Sequence, residues 1–342
     1  MAITLAVMNQ KGGVGKTTTA IQFASAIALS GRRTLLIDLD SQANATRTLG
    51  VHEGDQDRPG AYAAINAPEL VNASWAQRSE VSGLLVLGAS LELAGLDLEL
   101  SDTDDRLDRL SRATGRLQDS FDWIVLDCPP SLGLASVNAL VAADAILIPV
   151  PPEQFALDGL ERLNGTIARL RQAGGRTIAD PMMLITMAQR WVPQKLDRAA
   201  QFRQDHGDAV LVAEVPYSNA IDEAMELRRP VFMQREGSEA ADAYLHAAAE
   251  LILRQETGVM PELKAIAGLV KDIQSGLKDA SRTGRIEPVQ LPDRRGRPRV
   301  QTGPDTGPKV YRGTGRQVKQ AIGITVLVLG AVFGTLAILS SI

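Results

Sequence analysis

The stretch KGGVGKTT, Lys11 to Thr18, decides the fold of this 342-residue chain. The apolar run Ile3 to Met8 ahead of it predicts a buried strand, and Thr17 to Ser30 behind it carries apolar residues on one face, which predicts a helix. Glycines between a strand and a helix let successive backbone N–H groups point at phosphate oxygens, beside the positive end of the helix dipole. The context therefore predicts a phosphate-binding loop.

The loop departs from the usual phosphate-loop pattern in an informative way. Gln10 stands where GxxxxGK[ST] requires its first glycine, and a second lysine, Lys11, follows it. Lys16 is expected at the β- and γ-phosphates, and the Thr17 hydroxyl at Mg²⁺. This is a deviant Walker A sequence. The predicted nucleotide-binding residues are Lys11, Gly12, Gly13, Val14, Gly15, Lys16, Thr17 and Thr18.

Two further motifs extend the pattern along the chain. They are TLLIDLDSQANAT, Thr34 to Thr46, and WIVLDCPPSLGLASVNAL, Trp123 to Leu140. With the loop, they resemble the ParA/Soj family of partition ATPases, which are related to MinD. The resemblance covers about Met1 to Gln255. Ser41 stands in place of a proline that is usual in the family, which is a mild departure.

The resemblance implies catalytic roles for Lys11, Lys16 and Asp40. In the family, the residue that matches Lys11 reaches across an ATP-dependent homodimer to the partner's nucleotide, and the residue that matches Asp40 positions the attacking water. Loop amides, lysines and Mg²⁺ would neutralise the charge of phosphoryl transfer. ATP and Mg²⁺ are the expected cofactors. Turnover is expected to be slow and to be raised by a partner protein of ParB-like or analogous type.

The metal-binding prediction rests on Thr17, Asp127 and, as a further candidate, Asp38. Asp38 and Asp127 each follow an apolar strand. An aspartate there is often only a helix cap or a turn former. In a doubly wound sheet, however, the carboxyl ends of such strands meet in the crevice where ligands bind. The resemblance implies that Asp127 contacts Mg²⁺ through a water.

Strands that alternate with helices predict the fold class. It is α/β, a doubly wound and mostly parallel sheet flanked by helices, of the deviant Walker A type of P-loop NTPase. Segment 52–82 has little pattern and is predicted as short helix and loop. Further strands are predicted at residues 84–87, 145–150, 182–187 and 210–215.

The cysteine content indicates the type of cellular compartment and excludes one class of related proteins. The single cysteine, Cys128, excludes an intrachain disulfide and indicates a reducing compartment. Nitrogenase-reductase-like relatives need cysteine pairs for an iron–sulfur cluster, and this chain has none. That class of protein is therefore excluded.

Composition divides the chain into four predicted parts. Residues 1–256 are the ATPase domain, residues 257–281 an additional amphipathic helix, residues 282–320 a basic Pro/Gly-rich flexible linker and residues 321–342 a transmembrane helix. The amphipathic helix spaces apolar residues three and four apart. This short seam favours a helix packed on the domain over a dimer or partner contact. Its residues are Leu263, Ile266, Val270, Ile273 and Leu277.

Charge is distributed unevenly between these parts. The linker holds ten basic and three acidic residues, a net charge of +7, and no charged residue follows it. Since the whole chain carries −4, residues 1–281 carry −11. As a flexible coil, the 39-residue linker spans roughly 35 Å on average, enough to hold a domain just off a surface.

The last 22 residues, Ala321 to Ile342, contain no charge and no proline. As a helix they reach about 33 Å, close to the thickness of a bilayer core, and predict a C-terminal tail anchor in the lipid bilayer rather than a core helix. Gly330 and Gly334 form a GxxxG motif that could pack two such helices. Basic residues ahead of the span place the ATPase domain in the cytoplasm, on the inner membrane of a prokaryote, in a single-pass arrangement.

Two functions remain open. The favoured one is a membrane-anchored ATPase that positions or segregates DNA, as in plasmid or chromosome partition, with nonspecific DNA as a ligand. The alternative is a MinD-like spatial regulator that recruits or positions a protein complex at the membrane without DNA. Of two DNA-binding arginines in Soj-like proteins, one is matched by Arg190, but the other falls near Ala220. Arg228 and Arg229 are candidates to compensate.

Overall fold

The computed structural model describes residues 1–153, 156–174, 178–234 and 236–283. The strands in this part of the chain are β1 (Ile3–Val7), β2 (Thr34–Asp38), β3 (Gln77–Arg78), β4 (Leu84–Leu87), β5 (Trp123–Asp127), β6 (Ala145–Val150), β7 (Pro181–Ala188) and β8 (Val210–Pro216). The helices are α1 (Lys16–Leu29), α2 (Asn44–Thr48), α3 (Ala61–Asn66), α4 (Leu96–Glu99), α5 (Arg109–Gly115), α6 (Leu134–Ala142), α7 (Ala156–Gly174), α8 (Pro193–His206), α9 (Asn219–Glu226), α10 (Val231–Gln234), α11 (Glu239–Thr257) and α12 (Leu263–Thr283).

The strands form one sheet in the order β3-β4-β2-β5-β1-β6-β7-β8. Every pairing is parallel except that of β3 with β4, which confirms the predicted mostly parallel α/β fold. In the register, Asp127 lies opposite both Val7 of β1 and Asp38 of β2. The carboxyl ends of β1, β2 and β5 therefore meet at one edge.

Apolar side chains cover both faces of the sheet. Because side chains alternate along a strand, Leu5 and Val7 pack in one core layer and Ala6 in the other. Helices α1, α11 and α12 pack together, and α5 packs with α6. Strands that are buried on both faces read as continuous apolar runs, which is why the sequence located most of them within one or two residues.

Strand β3 was not expected from the sequence. Segment 52–82 contains α3 and two short 3₁₀ turns, as predicted in outline, but Gln77 and Arg78 also pair antiparallel with β4 at the sheet edge. A two-residue strand is too short to show an alternating pattern.

The helix predicted after the ATPase domain is α12, and it packs on α1 and α11. Four residues of the predicted seam are buried there: Ile266, Val270, Ile273 and Leu277. The fifth, Leu263, is 73% exposed, so the seam is one residue shorter than predicted. Contact with α1 is so close at Gly276 that an added Cβ would lie 2.1 Å from the Leu29 carbonyl oxygen.

The segment predicted to cross a membrane lies outside the residues that the structure describes. Within the part that the structure describes, no helix combines the length and the apolar character that a bilayer span requires. The predicted transmembrane helix at 321–342, with Gly330 and Gly334, lies outside the described residues, as does nearly all of the predicted linker.

Candidate nucleotide site

The phosphate loop joins β1 to α1, where the sequence predicted it. Gly13 and Gly15 have φ of +70° and +88°, in the left-handed region that favours glycine. Gly15 is also the N-cap of α1 and provides no side-chain hydrogen bond to the first turn. The free N–H groups of that turn are therefore available to an anion.

The two lysines of the loop lie in different environments. Lys16 is only 7% exposed, and its Nζ donates a hydrogen bond of 2.9 Å to the Lys11 carbonyl oxygen. Burial lowers the pKa of Lys16, and the nearby Asp127 and Asp40 carboxylates oppose that effect. The Lys11 side chain is instead 37% exposed, and its Nζ lies 2.5 Å from Oε2 of Glu153.

Asp127 is fully buried at the end of β5, and among the described residues no group makes a hydrogen bond of normal geometry to its carboxylate, although the Thr17 hydroxyl lies beside it. Burial, followed by the neighbouring Asp38 carboxylate, raises the pKa of Asp127 well above its usual value, although the Thr17 hydroxyl is close enough to offset part of this rise. A buried carboxylate with free lone pairs beside a phosphate loop fits a cation that also contacts nucleotide phosphates.

Protein ligands alone would not hold such a cation. Among the described residues, no group of three or more His, Cys, Asp or Glu side chains could hold a metal ion. This fits Mg²⁺, which binds to few carboxylates and takes its other ligands from water and substrate phosphates. Thr17 and Asp127, both predicted to bind the metal, lie next to each other at this edge of the sheet.

Asp40 lies just past β2 and is partly exposed. Its Oδ1 accepts a hydrogen bond of 2.9 Å from the Gln42 backbone N–H, and its carbonyl accepts one of 2.8 Å from Ala43. The carboxylate is near enough to Lys16 to offset part of the lowering of that lysine's pKa by burial. The structure therefore brings Lys16, Asp40, Asp38 and Asp127 to one edge of the sheet.

Two residues that brace the loop were missed by the sequence analysis. Asn9 donates to the Pro149 carbonyl at 2.8 Å and accepts from the Lys11 N–H at 3.0 Å. Thr186 donates to the Val14 carbonyl at 3.0 Å, from 172 residues away along the chain. Asn9 could have been suspected from its place next to the motif, whereas no local signal identifies Thr186.

A small cavity beside the loop adds a second set of residues. It holds about 80 Å³ and is formed by the loop, the carboxyl ends of β7 and β8, and α9. Its lining includes Gly15, Thr18, Met187, Tyr217 and Ser218. Gly15 and Thr18 connect this cavity to the phosphate loop.

The predicted DNA-binding arginines lie apart from the phosphate loop in the sequence, and all three are exposed. Arg190 is not free, since its guanidinium lies 3.8 Å from Glu214 and 3.2 Å from Glu239. Arg228 and Arg229 follow α9. Ala220 lies in the first turn of α9, so the position without an arginine is at a helix start.

Comparison with known proteins gives a consistent result. A family model described as an AAA domain matches residues 2–179. The chain is 33% identical over 251 residues to the sporulation initiation inhibitor protein Soj of Bacillus subtilis, covering 73% of this chain and 98% of Soj. It is 38% identical over 255 residues to the chromosome partitioning protein ParA of Caulobacter vibrioides, covering 73% of this chain and 94% of that protein.

Solved structures agree with this match. Cobyrinic acid a,c-diamide synthase from Mycobacterium smegmatis, with bound ADP and magnesium, superposes with a TM-score of 0.64 at 29% identity. The match covers 76% of this chain and 98% of that one. The same protein has also been solved with an ATP analogue and magnesium.

Proposed function

Since the chain belongs to the ParA/Soj/MinD-type family of ATPases, we propose that it is a membrane-anchored member that dimerises around ATP and positions or segregates DNA. ATP and Mg²⁺ are its cofactors. The proposal adds the dimer, the membrane and the cargo to the ATPase activity that the family establishes.

The contrast between the two lysines of the loop carries the proposal. Lys16 is buried against the loop and suits the nucleotide of its own chain. Lys11 starts at the same loop but extends outward to Glu153, and its side chain is 37% exposed. A second cation that is exposed and pairs with Glu153 rather than with its own loop suits a nucleotide held by another copy of the chain.

Residue roles follow from this arrangement. The loop amides and Lys16 bind the phosphates, and Lys11 of the second copy adds positive charge where negative charge develops. Thr17 and Asp127 would hold Mg²⁺, which would supply neutralisation of the phosphate oxygens. Asp40 orients the attacking water. Because hydrolysis would need both copies, we expect slow turnover that a partner protein raises.

Membrane attachment is proposed from the sequence of residues 321–342. An uncharged 22-residue run behind a linker of net charge +7 suits a span with its basic flank on the cytoplasmic side. In that arrangement the ATPase domain lies in the cytoplasm at the inner membrane. ATP would then control how neighbouring domains engage one another, rather than whether the protein reaches the membrane.

One observation favours the second candidate, a spatial regulator that places a protein complex without DNA. The ion pairs of Arg190 with Glu214 and Glu239 offset its charge, and residues 1–281 carry −11 overall. A DNA-binding face depends on unbalanced positive charge. Arg228 and Arg229 remain as the exposed pair that could supply it.

A DNA-binding titration of the full-length protein in detergent distinguishes the two candidates. Fluorescent duplex of random sequence is titrated with and without Mg-ATP, at 50 mM and 200 mM salt. ATP-dependent binding that weakens steeply with salt supports the DNA function. The test variant is Arg228→Ala/Arg229→Ala. The control variant is Arg171→Ala, which removes a surface arginine that pairs with Asp180. If ATP does not change DNA binding, or if both variants lower DNA binding equally, the result supports the spatial regulator that acts without DNA.

A further inference from the structure

Asp38 closes the loop that carries Asp40. Its Oδ2 accepts hydrogen bonds from both the Thr46 backbone N–H at 2.9 Å and the Thr46 hydroxyl at 2.7 Å. Its Oδ1 accepts a bond of 3.1 Å from the Asp40 backbone N–H. One carboxylate therefore binds the backbone at both ends of the loop that spans residues 39–45.

Thr46 links this carboxylate to the neighbouring strand. The Thr46 hydroxyl oxygen accepts a hydrogen bond of 2.9 Å from the backbone N–H of Ala89, just after β4. The same hydroxyl donates its own hydrogen bond to Asp38. Asp38, Thr46 and Ala89 are all fully buried, at 0% exposure. A chain of hydrogen bonds in a dry environment therefore anchors the base of the loop to the sheet.

The loop itself has a defined conformation. Ala43 is buried and has φ of +54°, which a non-glycine residue adopts only where its surroundings enforce it. The bonds from Gln42 and Ala43 to Asp40 form a tight turn around the carboxylate. Asp40 is thus a partly exposed group on a constrained loop with a buried base.

Asp38 differs from Asp127, its register partner on β5. Both oxygens of Asp38 are engaged by the loop, whereas among the described residues only the Thr17 hydroxyl lies beside the Asp127 carboxylate, without a hydrogen bond of normal geometry. Three of the roughly four lone pairs of the Asp38 carboxylate are therefore used within the loop. The two aspartates, alike in sequence context, are therefore suited to different tasks.

We propose that Asp38, acting through Thr46, is a positioning residue that fixes Asp40 for the hydrolysis step and is not a ligand of Mg²⁺. This inference rests on the proposed role of Asp40 in orienting the attacking water. A small displacement of such a group lowers the rate of the chemical step without loosening nucleotide binding. The Thr46 hydroxyl is then required for turnover but not for affinity.

The first test compares Thr46→Val with Thr46→Ser in the full-length protein. Valine keeps the shape but removes the hydroxyl, and serine restores it. We expect Thr46→Val to lower kcat by roughly 10- to 100-fold with unchanged ATP affinity, and Thr46→Ser to recover most of the rate. Equal losses in both variants, or a loss of ATP affinity that matches the loss of kcat, would overturn the proposal.

The second test compares the isosteric variants Asp38→Asn and Asp127→Asn, and it does not depend on how Thr46→Val folds. Mg²⁺ is titrated at saturating nucleotide. We expect Asp127→Asn to raise the Mg²⁺ concentration needed for half-maximal binding, and Asp38→Asn to lower kcat while leaving that concentration near the parent value. A comparable Mg²⁺ defect in both variants would make Asp38 a ligand and refute the inference.

Asp40→Ala separates failure of the inference from failure of the role on which it rests. If Asp40→Ala hydrolyses ATP like the parent, the proposed role of Asp40 is wrong, and the inference falls with it. If Asp40→Ala is inactive but Thr46→Val is fully active, the role of Asp40 stands and only the positioning by Asp38 is refuted.

Discussion

The Lys16 ammonium donates a hydrogen bond to the carbonyl oxygen of Lys11, at 2.9 Å, inside the phosphate loop. The buried lysine is thus satisfied by the backbone of the residue whose own side chain extends outward to Glu153. A nucleotide phosphate would replace that carbonyl as the partner of Lys16. The side chain of Lys11, paired with Glu153, would then serve a different contact.

This division of roles predicts different defects for two alanine variants. Lys16→Ala should weaken ATP binding about 10- to 100-fold, because a charge-assisted hydrogen bond contributes about 1.5–3 kcal/mol. Lys11→Ala should bind ATP like the parent but lose ATP-dependent self-association and turnover. Nucleotide titration and sedimentation in detergent measure both. Equal loss of ATP affinity in the two variants would contradict separate roles.

Glu153→Gln should promote association slightly, because it releases Lys11 from its ion pair within the chain. The pair is well exposed, so its loss should change the free energy of unfolding by less than about 1 kcal/mol. Self-association with ATP should tighten by no more than about fivefold. Asp180→Asn breaks the exposed pair with Arg171 and serves as the control. Weaker association in Glu153→Gln alone would show that Glu153 assists the dimer.

Binding of Mg-nucleotide should release protons. In the ligand-free protein, burial raises the pKa of Asp127 well above its usual value, so the carboxyl retains a proton at higher pH. A cation binds only the ionised form, and its affinity should therefore fall as the pH is lowered. Calorimetry in PIPES and in Tris, whose ionisation heats differ and which do not compete for a phosphate site, measures the release. Identical heats in the two buffers would argue against it, and Asp127→Asn should abolish the difference.

Two glycines of α12 should respond in opposite ways to alanine. At Gly276 an added Cβ would lie 2.1 Å from the Leu29 carbonyl oxygen, so Gly276→Ala should destabilise the domain by about 1–3 kcal/mol. At Gly268 nothing lies within 4 Å, and Gly268→Ala should stabilise the helix by up to about 1 kcal/mol. Urea denaturation compares them. Similar effects at both sites would mean that α12 does not pack closely on α1.

Removal of residues 321–342 should release the protein from membranes. The basic linker would remain, and its attraction to anionic lipid should leave only a salt-sensitive association. Carbonate extraction of membranes that carry the parent or the truncated chain measures the difference. A parent protein that carbonate extracts, or a truncated chain that stays in the pellet, would contradict the anchor.

The sequence located the sheet well because its strands are buried on both faces and follow one another with helices between them. Strands β4 and β6 have the predicted bounds, and β1, β7 and β8 differ from theirs by one or two residues. The sequence also placed the phosphate loop, whose chemistry depends on adjacent residues. It missed β3, which is too short for a pattern, and it extended the α12 seam to the exposed Leu263.

By itself, the sequence determined the fold class, the phosphate loop and the candidate carboxylates, since each depends on residues that are close together in the chain. Only the tertiary structure decided what those groups contact. Glu153 reaches Lys11 across 142 residues, and Thr186 reaches Val14 across 172. Asp38 and Asp127 have similar local sequence, yet sheet order and loop geometry give Asp38 three hydrogen bonds and leave Asp127 with none of normal geometry among the described residues. Local periodicity encodes which face of a strand is buried, but it carries no information about which distant backbone atoms lie opposite it.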